Sequence, residues 1–140
     1  MKVANYFNKS PVFSIIELAK NAQNSLNLEL KEINLSYYQA LILVSLHVEQ
    51  RNNIIIKELV ETFPLTKGAI SQNISTLEEQ GLLKRITSND RRSTILKITA
   101  SGQKLAQKIM GIFERKERSF EKILSDSTMQ ELEELKLSLN

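Results

Sequence analysis

The stretch Leu65–Thr99, LTKGAISQNISTLEEQGLLKRITSNDRRSTILKIT, decides how this chain folds. Thr66 stands where an N-cap belongs, Ile70, Ile74 and Leu77 then recur at helical spacing, and Gly81 falls where a left-handed residue ends a helix. The helix so bounded is about fifteen residues long. It is followed by LLKRITS and STILKIT, two apolar and β-branched runs that flank NDRR, and such a pair predicts a hairpin with a doubly cationic tip.

The flanking sequence supplies the other helices. Just upstream, IIIKELVETFP reads as a short strand-like stretch and a brief helix that Pro64 ends, because the residue before a proline is pushed out of the α region. Further upstream, LSYYQALILVSL opens with a capping box formed by Ser36 and Gln39, with Leu35 and Ala40 placed as a hydrophobic staple. The helix it begins runs from Tyr37 to just before the polar EQRNN. Ser10 and Pro11 start a long first helix carrying Ile15, Leu18, Ala19, Ala22, Leu26 and Leu30. Downstream, Thr99 caps a helix from Ala100 to about Leu124 with Leu105, Ile109, Ile112, Phe113, Phe120 and Ile123 on one stripe. Ser127 and Gln130 predict a second capping box before a final helix bearing Met129, Leu132, Leu135 and Leu139.

Composition narrows the function. A chain of 140 residues is most simply one domain, and only four glycines and two prolines favour a mainly helical fold. The absence of cysteine excludes disulfides, thiol catalysis and thiolate-bound zinc. His47 is the sole histidine, so a histidine-rich metal sensor is excluded and a structural place near a helix end is expected for it. No nucleophile with a local base, no metal-ligand spacing and no glycine-rich phosphate loop is present, so neither catalysis nor a metal or cofactor is expected. ALILV, Ala40 to Val44, is the longest apolar run and is far too short to span a bilayer; with no signal-peptide pattern at the N-terminus, a cytoplasmic chain with no membrane partner is expected. The formal net charge of +3 is concentrated: residues 66–104 hold seven Lys and Arg against three Asp and Glu, whereas residues 1–65 balance and 105–140 are slightly acidic. Localised positive potential is the footprint of a polyanion-binding surface.

Short helix, tight connection, helix and two-stranded hairpin is the order of a winged helix-turn-helix, in which the second helix enters the DNA major groove. The fold expected is therefore mainly α with a small β-hairpin wing. It divides into a DNA-binding part at about 36–99 and terminal dimerisation helices at about 10–33 and 100–140, all within one domain of residues 1–140. With Ile70, Ile74 and Leu77 turned inward, Gly68, Ser71, Gln72, Ser75 and Thr76 face outward, and Thr66 and Lys67 open the same helix. Gln pairs bidentately with adenine, Ser and Thr exchange hydrogen bonds with several base edges, and Gly68 admits a close backbone. An ordinary solvated face would carry Glu and Lys instead. At the hairpin tip Arg91 and Arg92 are placed for the phosphate backbone or the minor groove, and Asp90 has the chemistry to pair with one of them and fix its direction. The competing reading is a winged-helix interaction module that does not bind DNA.

LTKGAISQNISTLEEQGLLKR, NDRR and LKITASGQKLA together resemble the multiple-antibiotic-resistance regulator (MarR) family, the last segment matching its Leu-Thr-x-x-Gly turn into the following helix. Gln72 stands where that family often has arginine, and the short helix before Pro64 opens without a polar N-cap. The resemblance covers nearly the whole chain and implies a transcriptional regulator, usually a repressor, acting as a homodimer with interlocked terminal helices on a pseudo-palindromic site in double-stranded DNA. The terminal stripes agree with this, since they exceed what one small winged domain covers. The resemblance also implies a small aromatic or phenolic effector, with Tyr37 and Tyr38 as candidates to line its pocket; otherwise at least one of these rings is ordinary core.

Overall fold

The computed structural model describes residues 2–49, 54–87 and 93–140. In chain order these form α1 (Lys2–Asn8), α2 (Pro11–Lys31), α3 (Tyr37–Val48), β1 (Ile54–Ile55), α4 (Ile56–Thr62), α5 (Lys67–Glu79), β2 (Leu83–Thr87), β3 (Thr94–Ile98), α6 (Ala100–Glu121) and α7 (Asp126–Ser138). The mainly helical chain with a small β wing is the architecture expected.

Local chemistry accounts for most boundaries. The Ser36 hydroxyl accepts from the Gln39 N–H at 3.5 Å, and the Gln39 side chain accepts from the Ser36 N–H at 3.0 Å, which completes the expected capping box of α3. A third bond lies beyond what spacing predicts: Asn27 Oδ1, on α2, accepts from the Tyr37 N–H at 2.9 Å. Between these helices Asn34 takes a left-handed φ of 61°, a conformation that Asn tolerates better than most residues, and the Leu35 N–H returns to the Leu30 carbonyl. Lacking a polar cap, α4 uses Glu58, whose carboxylate accepts from the Ile55 N–H at 2.8 Å.

The wing is larger than the two-stranded hairpin expected. The strand-like Ile54–Ile55 pairs antiparallel with β3, so the sheet has three strands in the order β1-β3-β2. Leu83 lies opposite Ile98 and Thr87 opposite Thr94. Two corrections fall at the ends of the chain. A short helix, α1, precedes Ser10. The cap of α7 is Ser125, which accepts from the Thr128 N–H, rather than Ser127, which lies inside the helix. The earlier cap brings Asp126 into the first turn, where a negative charge is favoured.

Leu30, Ile42, Leu43, Ile70, Ile74, Leu77, Leu83 and Ile109 are the largest fully buried side chains, so α2, α3, α5, β2 and α6 all meet in one core. Each such side chain contributes about 1.5–3 kcal/mol relative to exposure. Ile70, Ile74 and Leu77 are all inward as their spacing predicts, and this sets which face α5 turns out.

Where α5 ends, the chain turns on Gly81, whose φ is +73°; the Leu82 N–H reaches the Leu77 carbonyl at 3.0 Å. Thr99 ties this turn to the start of α6: its hydroxyl donates to the Gly81 carbonyl at 2.7 Å and accepts from the Gly102 N–H at 3.1 Å. The Thr99 N–H donates to the Leu82 carbonyl. Gly102 is there because a Cβ would run into that same carbonyl oxygen and into the Ile98 side chain. Gly102→Ala is therefore expected to destabilise the chain by about 1–3 kcal/mol through overpacking. Gly81→Ala has open space around it and is expected to lose about 1–2 kcal/mol from its left-handed backbone alone. Urea unfolding midpoints of the two variants check both values.

Candidate nucleic-acid interface

The outward face of α5 is built from the N-terminus forward. The Thr66 hydroxyl accepts from the Ala69 N–H at 3.1 Å, so the first turn is capped from within the chain. Thr66, Lys67, Gly68 and Gln72 are exposed, and Ser71, Ser75 and Thr76 are half-buried. Gln72 makes no hydrogen bond to a described residue through its side chain, which leaves an amide with two donors and an acceptor facing out in mid-helix. The Thr76 hydroxyl donates to the Gln72 carbonyl at 3.1 Å and keeps its lone pairs as acceptors.

Ser75 differs from the simple outward residue expected. Its hydroxyl donates to the Ser71 carbonyl at 3.0 Å and accepts from Arg85 Nη2 at 3.0 Å, so its hydrogen-bonding capacity is largely committed inside the chain. Arg85 on β2 also donates through Nη2 to the Ser71 carbonyl at 3.3 Å and through Nη1 to Glu78 Oε1 at 2.9 Å. Glu78 Oε2 accepts from the Arg85 backbone N–H at 2.9 Å. Neither Arg85 nor Glu78 stands out in sequence as a site residue. Strand alternation offers a signal, since Arg85 falls on the same side of β2 as the buried Leu83, and a cation on an inward side needs a partner.

On the other face of the hairpin Lys84 lies directly opposite Lys97, both exposed. Like charges so placed repel. Beside the first turn of α5 lies a cleft of about 450 Å³ lined by Ile55, Ile56, Lys57, Val60, Lys67, Ser93 and Thr94. Asp90, Arg91 and Arg92 lie outside the described residues; β2 and β3 close toward them with the Thr87–Thr94 pair.

Tyr37 and Tyr38 are half-buried and meet edge to face, with ring centroids 5.1 Å apart. Burial, with Tyr38 as a second cause, raises the Tyr37 phenol above its ordinary pKa. Tyr37 lines a cleft of about 260 Å³ together with Leu26, Leu41, Phe113, Lys116, Glu117 and Phe120; Tyr38 is not among its lining residues. Lys116 is held there by Ser25 Oγ at 2.6 Å and Glu29 Oε1 at 3.3 Å. His47 Nδ1 is buried without a hydrogen-bond partner among the described residues. Among the same residues no group of three His, Cys, Asp or Glu side chains is placed to hold a metal ion, and no helix is long and apolar enough to cross a membrane.

The Arg85 backbone N–H is the main cause holding the Glu78 carboxyl below the usual glutamate value; burial opposes it, and the Arg85 guanidinium reinforces it. A depressed pKa in the folded state means that this group's stabilising effect is present above the unfolded value of about 4.3 and is lost as pH falls through the folded value. Unfolding titrations from pH 7 to pH 3 are expected to show a smaller acid loss of stability in Glu78→Gln than in the parent chain.

Residues 35–102 match the model of a family described as the winged helix DNA-binding domain. The HTH-type transcriptional regulator BilQ of Clostridioides difficile is 26% identical over 88 residues, which are 62% of this chain and 60% of BilQ, so the match spans less than two thirds of that relative. In fold, the chain is similar to S. aureus MepR in its complex with DNA, with a TM-score of 0.87 at 19% identity over 94% of this chain and 99% of that one. It is also similar to a MarR family transcriptional regulator from Listeria monocytogenes complexed with 26mer DNA, with a TM-score of 0.78 at 24% identity over 94% of this chain and 87% of the other. Residues 35–102 thus match a winged-helix domain model, and over nearly its whole length the chain shares its fold with these two regulators.

Proposed function

We propose that this chain is a transcriptional regulator that reads double-stranded DNA as a homodimer, acts as a repressor on a pseudo-palindromic operator, and is released by a small aromatic or phenolic effector. The observation that carries the reading is the outward face of α5: capped, polar and uncharged across its middle, beside a β wing whose exposed charges are cationic. Regulators similar in fold have been solved on DNA, which supports the same use here.

In this mechanism α5 lies in the major groove. Gln72 reads an adenine edge bidentately, and Ser71 and Thr76 contact neighbouring edges or sugars. Lys67 at the head of α5 meets phosphate, with Lys57 of the adjoining cleft available to the same backbone strand. At the wing tip Arg91 or Arg92 enters the minor groove or binds phosphate, steered by Asp90. The proposed division keeps residues 36–99 for DNA and gives 10–33 and 100–140 to dimerisation. It is supported by apolar side chains left in solvent: Tyr6, Val12, Ile16 and Leu18 on α1 and α2, and Met129 and Leu137 on α7, are all more than half exposed. A second copy is the economical cover for two such helix faces at opposite ends of one chain. The cleft holding Tyr37 and Lys116 suits an aromatic ring bearing an anionic or phenolic oxygen, and it adjoins α2, α3 and α6.

Selection of bound duplexes from a random pool tests the whole reading. A two-half-site motif is expected, and recovery of no motif overturns it. In the same experiment Gln72→Ala is expected to relax one position per half-site by about 1–3 kcal/mol while leaving the salt dependence of binding unchanged. Replacing both Arg91 and Arg92 with alanine is expected to flatten the plot of log affinity against log salt by about 0.9 for each phosphate that is no longer neutralised, measured as a salt series on the selected duplex.

A further inference from the structure

We propose that Arg85 is a positioning residue for DNA recognition: it does not meet DNA itself but fixes the wing against α5, so that both reach the duplex at one set separation. The inference rests on the DNA-binding reading above and deepens it. Three guanidinium bonds run from Arg85 to Glu78 Oε1, the Ser71 carbonyl and the Ser75 hydroxyl, and the Arg85 backbone N–H binds the second oxygen of the same carboxylate. Residues 71, 75 and 78 follow one another along a single side of α5, so one side chain spans two turns of the helix. The carboxylate grips both the backbone and the head group of Arg85, which fixes the strand and the rotamer together.

Fold stability rests mainly on other contacts. Leu83 is already buried, β2 is already laddered to β3, and the Arg85 and Glu78 side chains are 31% and 37% exposed, a range in which an ion pair contributes little net stability. Geometry is a different matter. Two positions separate Arg85 from Thr87, the last residue of β2, a reach of about 7 Å at 3.3 Å per residue. A tilt of about 10° at the level of Arg85 would then move that end of the strand by roughly 1 Å, enough to stretch a hydrogen bond beyond its working length. Among the described residues, the lysines of the wing, Lys84 and Lys97, have no such tie to the helix.

Two measurements test the role. In the first, binding to the selected duplex is followed across a salt series for Arg85→Ala, Arg85→Lys and Glu78→Gln, each with and without Arg91→Ala/Arg92→Ala. Arg85→Ala is expected to weaken binding about tenfold, to leave the salt slope unchanged where Arg91 and Arg92 are already alanine, and to make the wing substitutions cost at least about threefold less, because a wing already misdirected has less to lose. A slope flattened by a further ~0.9 per phosphate in the background lacking Arg91 and Arg92 would make Arg85 a phosphate ligand instead, and wing costs equal with and without Arg85 would leave it only a structural residue; either overturns the proposal. The second measurement needs no DNA. The chain has no native cysteine, so spin labels at Glu79→Cys and Thr87→Cys report the distance from α5 to the wing. A narrow distribution in the parent that broadens in Arg85→Ala is expected, and an unchanged distribution overturns the strut. A parent that selects no duplex overturns the DNA reading while the label distances still report on the strut.

Discussion

The backbone oxygen of Leu82 is the point on which four elements converge. It accepts from Thr99, it closes the approach of Gly102, and it follows the left-handed Gly81 that ends α5. Around Leu82 the end of α5, the start of β2, the end of β3 and the first turn of α6 are tied together. The start of α6 thereby has a fixed bearing relative to the outward face of α5. Any side chain larger than hydrogen at position 102 would push α6 off that bearing, so the spacing Thr99-x-x-Gly102 is a packing requirement before it is a sequence signature.

Charge is arranged around α5 with the same economy. The middle of its outward face is neutral, its head carries Lys67, and Glu78 near its end is consumed by Arg85. A carboxylate left free there would oppose a polyanion across the whole face; neutralised by a strand residue, it becomes a tether instead. Lys67 remains facing solvent at the head of the helix, with the uncharged outward residues behind it.

Much of this is legible in the sequence because it is local. Ser36 with Gln39, Thr66, Thr99 and Gly81 each act on backbone groups within a few residues, so spacing alone reveals them. The buried triplet Ile70, Ile74 and Leu77 is legible for the same reason. Features joining distant segments are not: Asn27 caps a helix ten residues on, and β1 adds to the sheet across forty residues of chain. Arg85 reaches back fourteen residues to Ser71. Spacing points to the wrong cap for α7 because Ser125, Ser127 and Thr128 all offer hydroxyls, and only the bond made decides between them. Of the candidate site, the α5 face is readable as a pattern, whereas the withdrawal of Ser75 into the Arg85 network depends on a partner that no periodicity announces. The wing tip, Asp90 to Arg92, lies outside the described residues and rests on sequence.

The Lys84–Lys97 pair gives dissolved ions two opposed roles on one hairpin. In the free chain, screening relieves the repulsion between these ammonium groups and favours the paired strands by a few tenths of a kcal/mol. Against a polyanion, the same screening removes the attraction that would draw the strands in. The wing is thus a spring loaded by its own charge: most strained in dilute salt, where its pull on a phosphate is strongest, and most relaxed in concentrated salt, where it has least to hold.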